Sequence, residues 1–245
     1  MDIDADNRPL PIRPALAAAI EEAWVRLAGP GTWWSAAERL AITAEVRQAR
    51  GCRLCAARKR ALSPYAVTGT HDGTGQLPEN AVEAIHRIAT DAGRITESWV
   101  RAMTDGPLGE APYVEIVSLV AVVTALDTFD HALGRPLRSL PLPADGAPSR
   151  LRPAGARCDL AWVATLAPEA VAAGEPNPYP VHGDKNIHRA LSLVPQEVFN
   201  FFDLDVELYL KDHEIRDFAT EHRAISHAQI ELIAGRASAI NACFY

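Results

Sequence analysis

Cys52-Arg53-Leu54-Cys55 is the pair whose type and spacing most directly suggest chemistry. It follows a helix end and opens another helix. A thiol at a helix N-terminus feels the positive end of the dipole, which favours the thiolate. Arg53, Arg58, Lys59 and Arg60 add positive charge nearby. A thiolate is the nucleophile towards a peroxide or a disulfide. A second cysteine two residues away can resolve the sulfenic acid as an internal disulfide before over-oxidation. Two blander readings compete. A zinc site needs two further ligands, and none of His71, His182 and His188 stands at a familiar Cys/His spacing, so no metal and no cofactor is expected. A pair of buried structural cysteines is the other. The scattered histidines read as surface or loop residues. Glu45 lies seven residues before Cys52, two helical turns away on the same face, and can take or relay a proton. It can equally be a solvated charge paired with Arg47 or Arg50.

The elements that must hold these residues are helical. Pro14 can open a first helix through Ile20 and Trp24 to Leu27, ended by Gly29-Pro30-Gly31. Ser35 with Glu38 makes a capping box for the next helix. Gly51 is placed to stop that helix as a left-handed residue. A short helix runs from Cys52 to about Leu62, and residues 66–78 form a loop. Asn80 can cap a helix through Ile85 and Ile88, and another begins near Thr96. Tyr113 to Leu133 reads as a long apolar helix closed by Gly134 and Pro136. Trp33 and Trp34 read as core. Asp203 to Leu210 reads as a short helix, and Ser226 caps the last one. No run of strand alternation appears, so the fold class is all-α.

Composition bounds the possibilities further. The chain has 245 residues, 48% hydrophobic and 22% charged, ordinary for a globular protein. Its 24 Lys and Arg against 31 Asp and Glu give a net charge of −7. That balance argues against nucleic acid and against an anionic membrane surface. Met1 to Asn7 are acidic and polar, so no secretory signal is expected, and no unbroken run of about eighteen apolar residues suggests a membrane span. Four cysteines (Cys52, Cys55, Cys158 and Cys243) are too few for a disulfide scaffold, and a reducing cytoplasm is the expected setting. Composition shifts near residue 141. Residues 140–155 are rich in Pro, Ala, Gly and Arg, and helical patterning returns near Asn186.

A repeat is visible at an offset of 191, which sets Cys52 against Cys243 and Ser35–Ile42 against Ser226–Ile233. Both segments read as a Ser cap, a helix, a Gly or Asn, then Cys.

The last helix, Ala228 to Cys243, and the stretch Tyr113 to Gly134 carry a resemblance. The chain resembles the alkylhydroperoxidase D-like and carboxymuconolactone decarboxylase-like superfamily over about 30–140 and 186–245. Its peroxidase motif is Glu, eleven residues, Cys, two residues, Cys, three residues, His. Glu231 precedes Cys243 by twelve positions, as that motif requires. In the first copy both thiols are present, but Leu40 stands in the glutamate position and Lys59 in the histidine position, where its charge can still stabilise a thiolate. In the second copy the chain ends at Tyr245, one residue before the second cysteine. Some relatives carry selenocysteine there, so the resemblance suggests a product truncated at a UGA codon.

The resemblance implies a helical bundle with a first repeat over 1–140, a Pro/Gly-rich connector over 141–185 and the start of a second repeat over 186–245. It implies a thiol-dependent antioxidant oxidoreductase acting on hydroperoxides, with Cys52, Cys55, Glu231, Cys243 and Lys59 at its motif positions and the second cysteine attacking the peroxide; Glu45 joins these site residues on its helical spacing alone. It further implies a thiol electron donor, lipoyl or thioredoxin-like, and a homo-oligomer. A non-catalytic helical homologue with structural cysteines and an assembly role is the alternative; a decarboxylase-like relative is disfavoured by the Cys-x-x-Cys itself. A truncated second half would leave Ile230, Leu232, Ile233 and Phe244 exposed.

Overall fold

The computed structural model describes residues 10–243; Met1–Asn7, Phe244 and the chain end at Tyr245 lie outside the described residues. Among the described residues the protein is all-helical. The elements are α1 (Pro14–Leu27), α2 (Ala36–Ala49), α3 (Arg53–Arg60), α4 (Glu79–Asp91), α5 (Glu97–Thr104), α6 (Glu110–Ala132), α7 (Tyr179–His182), α8 (Asn186–Arg189), α9 (Pro195–Leu208), α10 (Asp212–Ile215) and α11 (His227–Ile240). The only extended pairing among these residues is a single bridge between Arg157 and Thr165.

Local sequence explains most of these boundaries. Pro14 sits in the first turn of α1, whose Ile20, Ala23, Trp24 and Leu27 recur at helical spacing and are buried. The capping box of α2 forms: the Glu38 N–H donates to Ser35 Oγ, and the Ser35 N–H donates to the Glu38 carboxylate at 2.8 Å. Thr96 caps α5. The central element is α6, against which α2, α4 and α9 pack, joined by α1 and α5. By length and composition α6 is apolar enough to cross a membrane, but most of it is buried in the bundle, and a helix surrounded by neighbours needs an apolar surface all round.

Four local expectations are corrected. The fourth helix opens at Glu79 behind Pro78, and Asn80 Oδ1 merely accepts from the adjacent Ala81 N–H. Gly51 does not adopt the left-handed region; its N–H donates to the Gln48 carbonyl, and Cys52 becomes the extended N-cap of α3. The helix expected over 203–210 begins earlier, at Pro195. The histidines are not surface residues as a class, since His86, His182, His188 and His227 are buried.

Residues 141–185 hold no helix longer than four residues. They are tied along the bundle by Ala144 N–H to Ala28 O, Arg150 N–H to Thr32 O and Ala164 N–H to the Glu110 carboxylate, and Leu166 is fully buried. Beyond them, α9 packs on α1 and α6, so residues on both sides of this stretch share one hydrophobic core.

The two segments aligned at that offset have matched frames. Ala36 and His227, Ala49 and Ile240, and Cys52 and Cys243 are each 191 positions apart, and both helices open with a capping box. Their surroundings differ. Most of α2 is buried, whereas α11 buries only His227 and Ile230. Leu232 and Ile233 are exposed as expected, and Ile230 is not.

A buried charge cluster joins α2, α6 and α9. The Arg39 guanidinium donates to Glu115 and, at 2.9 Å, to Glu197, and all three are at most 2% exposed. Trp33 N–H and Ser118 Oγ–H supply further donors to the two carboxylates. Gly31 makes the approach possible, because a Cβ there would fall 1.8 Å from Glu115 Oε1. Burial and the charge of Glu197 push the Glu115 carboxyl up to about 7 despite Arg39. The folded chain therefore keeps a proton that the unfolded chain has released between about pH 4.5 and 7, so this group makes stability fall as pH rises through that window. Denaturant melts of wild type and Glu115→Gln at pH 5 and pH 7 check this. The wild type is expected to lose stability relative to the variant by up to roughly 1.4 kcal/mol per pH unit. Parallel curves would refute it.

Candidate active site: a buried dithiol with two histidines

The site is built from the turn between α2 and α3, the loop over residues 67–78 and the face of α4. Cys52 is the N-cap of α3, and Cys55 lies in its first turn; both are nearly inaccessible, at 1% and 4% exposure. Asp72 pins the start of α3, accepting from the Arg53 N–H at 2.9 Å and from the Arg53 guanidinium at 2.6 Å. Its own N–H donates to Cys52 Sγ at 3.4 Å. The loop then presents His71, whose Nδ1 stands 3.5 Å from both sulfurs.

From α4 come Glu83 and His86, three residues apart on one face. His86 is fully buried, with Nδ1 at 3.2 Å from Cys55 Sγ and Nε2 at 2.6 Å from Glu45 Oε1. The carboxylate fixes the ring proton on Nε2, leaving the Nδ1 lone pair facing the Cys55 thiol. Glu45 comes from α2 and accepts two more hydrogen bonds, from Thr74 N–H at 2.9 Å and Thr74 Oγ1 at 2.6 Å. Gly73 permits this contact, since a Cβ there would lie 2.9 Å from Glu45 Oε1. Glu83 accepts from His71 Nε2 at 2.8 Å, from Arg58 at 2.8 Å and from Trp99 Nε1 at 3.2 Å.

These contacts separate the two histidines electrically. Burial works against a charged His71, but its hydrogen bonds to Cys55, Glu83 and Cys52 prevail and raise it to about 10. Glu83 is correspondingly held down at about 2: burial opposes this, and His71 and Arg58 overcome it. His86 moves the other way. Burial lowers it and the charge on His71 adds to the effect, outweighing the bond to Glu45. Burial also opposes ionisation of Cys52, yet the backbone N–H groups of Cys55 and Asp72 and the His71 ring bring its thiol below the ordinary value. Burial likewise opposes the Glu45 carboxylate, and the Thr74 and His86 donors hold it low. The two rings thus differ: His71, raised, stands 3.5 Å from both sulfurs, and His86, lowered, faces Cys55.

Among the residues expected to act, Cys52, Cys55 and Glu45 meet here. Glu45 is not a solvated charge paired with Arg47 or Arg50; Arg47 pairs with Asp127 instead. Lys59 is exposed, and no described contact joins it to either sulfur. Glu231 accepts from Tyr209 Oη at 2.6 Å and pairs with His227, while Cys243 is exposed beyond the end of α11. No described contact links those two residues to each other or to the dithiol. His86, Glu83, Asp72 and Thr74 were not singled out in the sequence. The available signal was the run His71-Asp72-Gly73-Thr74 in the loop after the short helix that the cysteines open, and a histidine among the apolar positions of α4. No protein-family model, curated protein or solved structure matches this chain.

Proposed function

We propose that the protein is a thiol-dependent oxidoreductase that reduces hydroperoxides through Cys52 and Cys55. The observation that carries the reading is the buried line Cys55 Sγ, His86, Glu45, with contacts of 3.2 and 2.6 Å. It is the nucleophile, base and orienting acid of an activated thiol. The superfamily resemblance points to the same chemistry and to the same attacking cysteine.

The steps follow from the donors present. His86 Nδ1 takes the Cys55 proton, and the thiolate attacks the distal peroxide oxygen. The O–O bond breaks, the alkoxide takes the proton held by His86 and leaves as alcohol, and Cys55 becomes a sulfenic acid. Cys52, whose ionisation its N–H donors and His71 favour, attacks the Cys55 sulfur as the thiolate. The S–O bond breaks, and hydroxide takes a proton from His71 to leave as water. The disulfide is returned to two thiols by an external dithiol, for which a lipoyl or thioredoxin-like donor is suitable.

Titrating thiols before and after one equivalent of hydroperoxide tests this, in a background where the exposed Cys158 and Cys243 are serines. Two thiols are expected to disappear. Cys52→Ser should lose one and leave a trappable sulfenic acid, and Cys55→Ser should lose none. An unchanged thiol count in the parent protein would sink the reading.

A further inference from the structure

The same four side chains satisfy a second chemistry. We infer that Cys52, Cys55, His71 and His86 form a tetrahedral binding site for a zinc-class divalent cation. Their ligand atoms, two Sγ and two Nδ1, all lie within 4.8 Å of one another. A zinc ion with ordinary Zn–S and Zn–N bonds places sulfur and nitrogen ligands about 3.5 Å apart at the tetrahedral angle. Three of the four sulfur–nitrogen separations here are 3.5, 3.5 and 3.2 Å, and the fourth, from Cys52 to His86, is within 4.8 Å. Two thiolates with two imidazoles select zinc or a chemically similar ion over magnesium or calcium, which prefer oxygen.

The surroundings match a metal site as closely as the ligands do. Each histidine turns Nδ1 inward and gives Nε2 to a carboxylate, His71 to Glu83 and His86 to Glu45. That pairing orients the ring and raises its basicity towards a metal. The Asp72 N–H on Cys52 Sγ stabilises the sulfur's negative charge. Four protein ligands complete the coordination, so the ion would be held rather than offered to substrate. It would tie α3, the 67–78 loop and α4 together.

This inference stands on the geometry and does not depend on the peroxide reading. It constrains that reading, however, because both sulfurs are needed in either state, so a bound ion and a Cys52–Cys55 disulfide exclude one another.

The test uses the full chain, reduced and stripped with a chelator, then titrated with Co²⁺ and chased with Zn²⁺. Expected are one equivalent bound, the visible bands of tetrahedral cobalt with a thiolate-to-cobalt charge-transfer band, and their loss on adding zinc. Cys52→Ser or Cys55→Ser should cut the charge-transfer band markedly. Glu83→Gln should weaken binding by about 10–100-fold. Oxidation with diamide, which takes two electrons from the thiols and leaves a disulfide, should abolish binding in the unmutated chain without relying on any variant's folding. An octahedral spectrum, absence of saturable binding, or binding that survives diamide would overturn the inference. Peroxide-driven thiol loss is measured on the metal-free protein, so either reading can fail while the other holds.

Discussion

Replacing His86 by alanine is expected to slow peroxide-driven thiol loss at neutral pH by about 10²–10⁴-fold, the usual range for a positioned general base. The expectation comes from geometry. His86 Nδ1 faces Cys55 Sγ at 3.2 Å, and the opposite nitrogen is fixed by Glu45. Stopped-flow measurement on metal-free protein, with Cys158 and Cys243 replaced, gives the rate. Because His86 is fully buried, its removal leaves a cavity, and a melting curve separates loss of stability from loss of base. Two further readouts discriminate a base from a packing residue. Added imidazole should restore part of the rate in His86→Ala, and raising the pH should narrow the gap by ionising the thiol without help. Glu45→Gln keeps the volume and should produce a smaller defect, since the ring remains but its orientation and basicity are weakened. A wild-type rate in folded His86→Ala would remove the relay from the mechanism.

Replacing Arg39 by methionine is expected to lower the unfolding free energy by about 3–5 kcal/mol, the cost of leaving buried charge unpaired. Arg39 is the guanidinium between Glu115 and Glu197, both essentially inaccessible. Without it, two carboxylates face one another in the core, and both must be protonated or hydrated. The comparison that isolates this effect is the triple variant Arg39→Met, Glu115→Leu, Glu197→Leu. Removing all three charges together should recover much of the loss, because the desolvation cost disappears with the ions. Denaturant melts at constant pH measure both. Equal losses in single and triple variants would show that packing volume, and not charge, sets the cost.

The two sets of residues differ in how readily the sequence discloses them. The Cys-x-x-Cys pair, the Ser35/Glu38 box and the Pro14 start are local signals, each confined to a few residues, and they appear where the sequence places them. The all-helical class is equally legible from periodicity. His86 is not, because it stands 31 residues from Cys55, inside a helix whose pattern reads simply as apolar. Only the fold of α4 back against α3 makes the pair. Glu45 is partly legible. Its helical phase relative to Cys52 identifies it as available, but its partners, Thr74 and His86, come from the loop and from α4. Lys59 differs again. Its position in a motif suggested a role, and α3 places it in solvent with no described contact to either sulfur. Arg39, Glu115 and Glu197 are invisible for the same physical reason as His86. A buried ion cluster spread over three distant helices leaves no mark in any single window.

The seating of α9 against α1 has a consequence for the order of events during synthesis. Arg13 and Glu207, which pair across that contact, are 194 residues apart. At ordinary elongation rates the ribosome needs roughly 10–40 seconds to span such an interval. Both sulfurs, both histidines and their carboxylate partners lie between positions 45 and 86, so they leave the exit tunnel before α9 does. During that delay the faces of α1 and α6 that later meet α9 lack their final cover. The nascent chain thus holds every sulfur and imidazole of the dithiol site before the helix that closes its hydrophobic interior has been made.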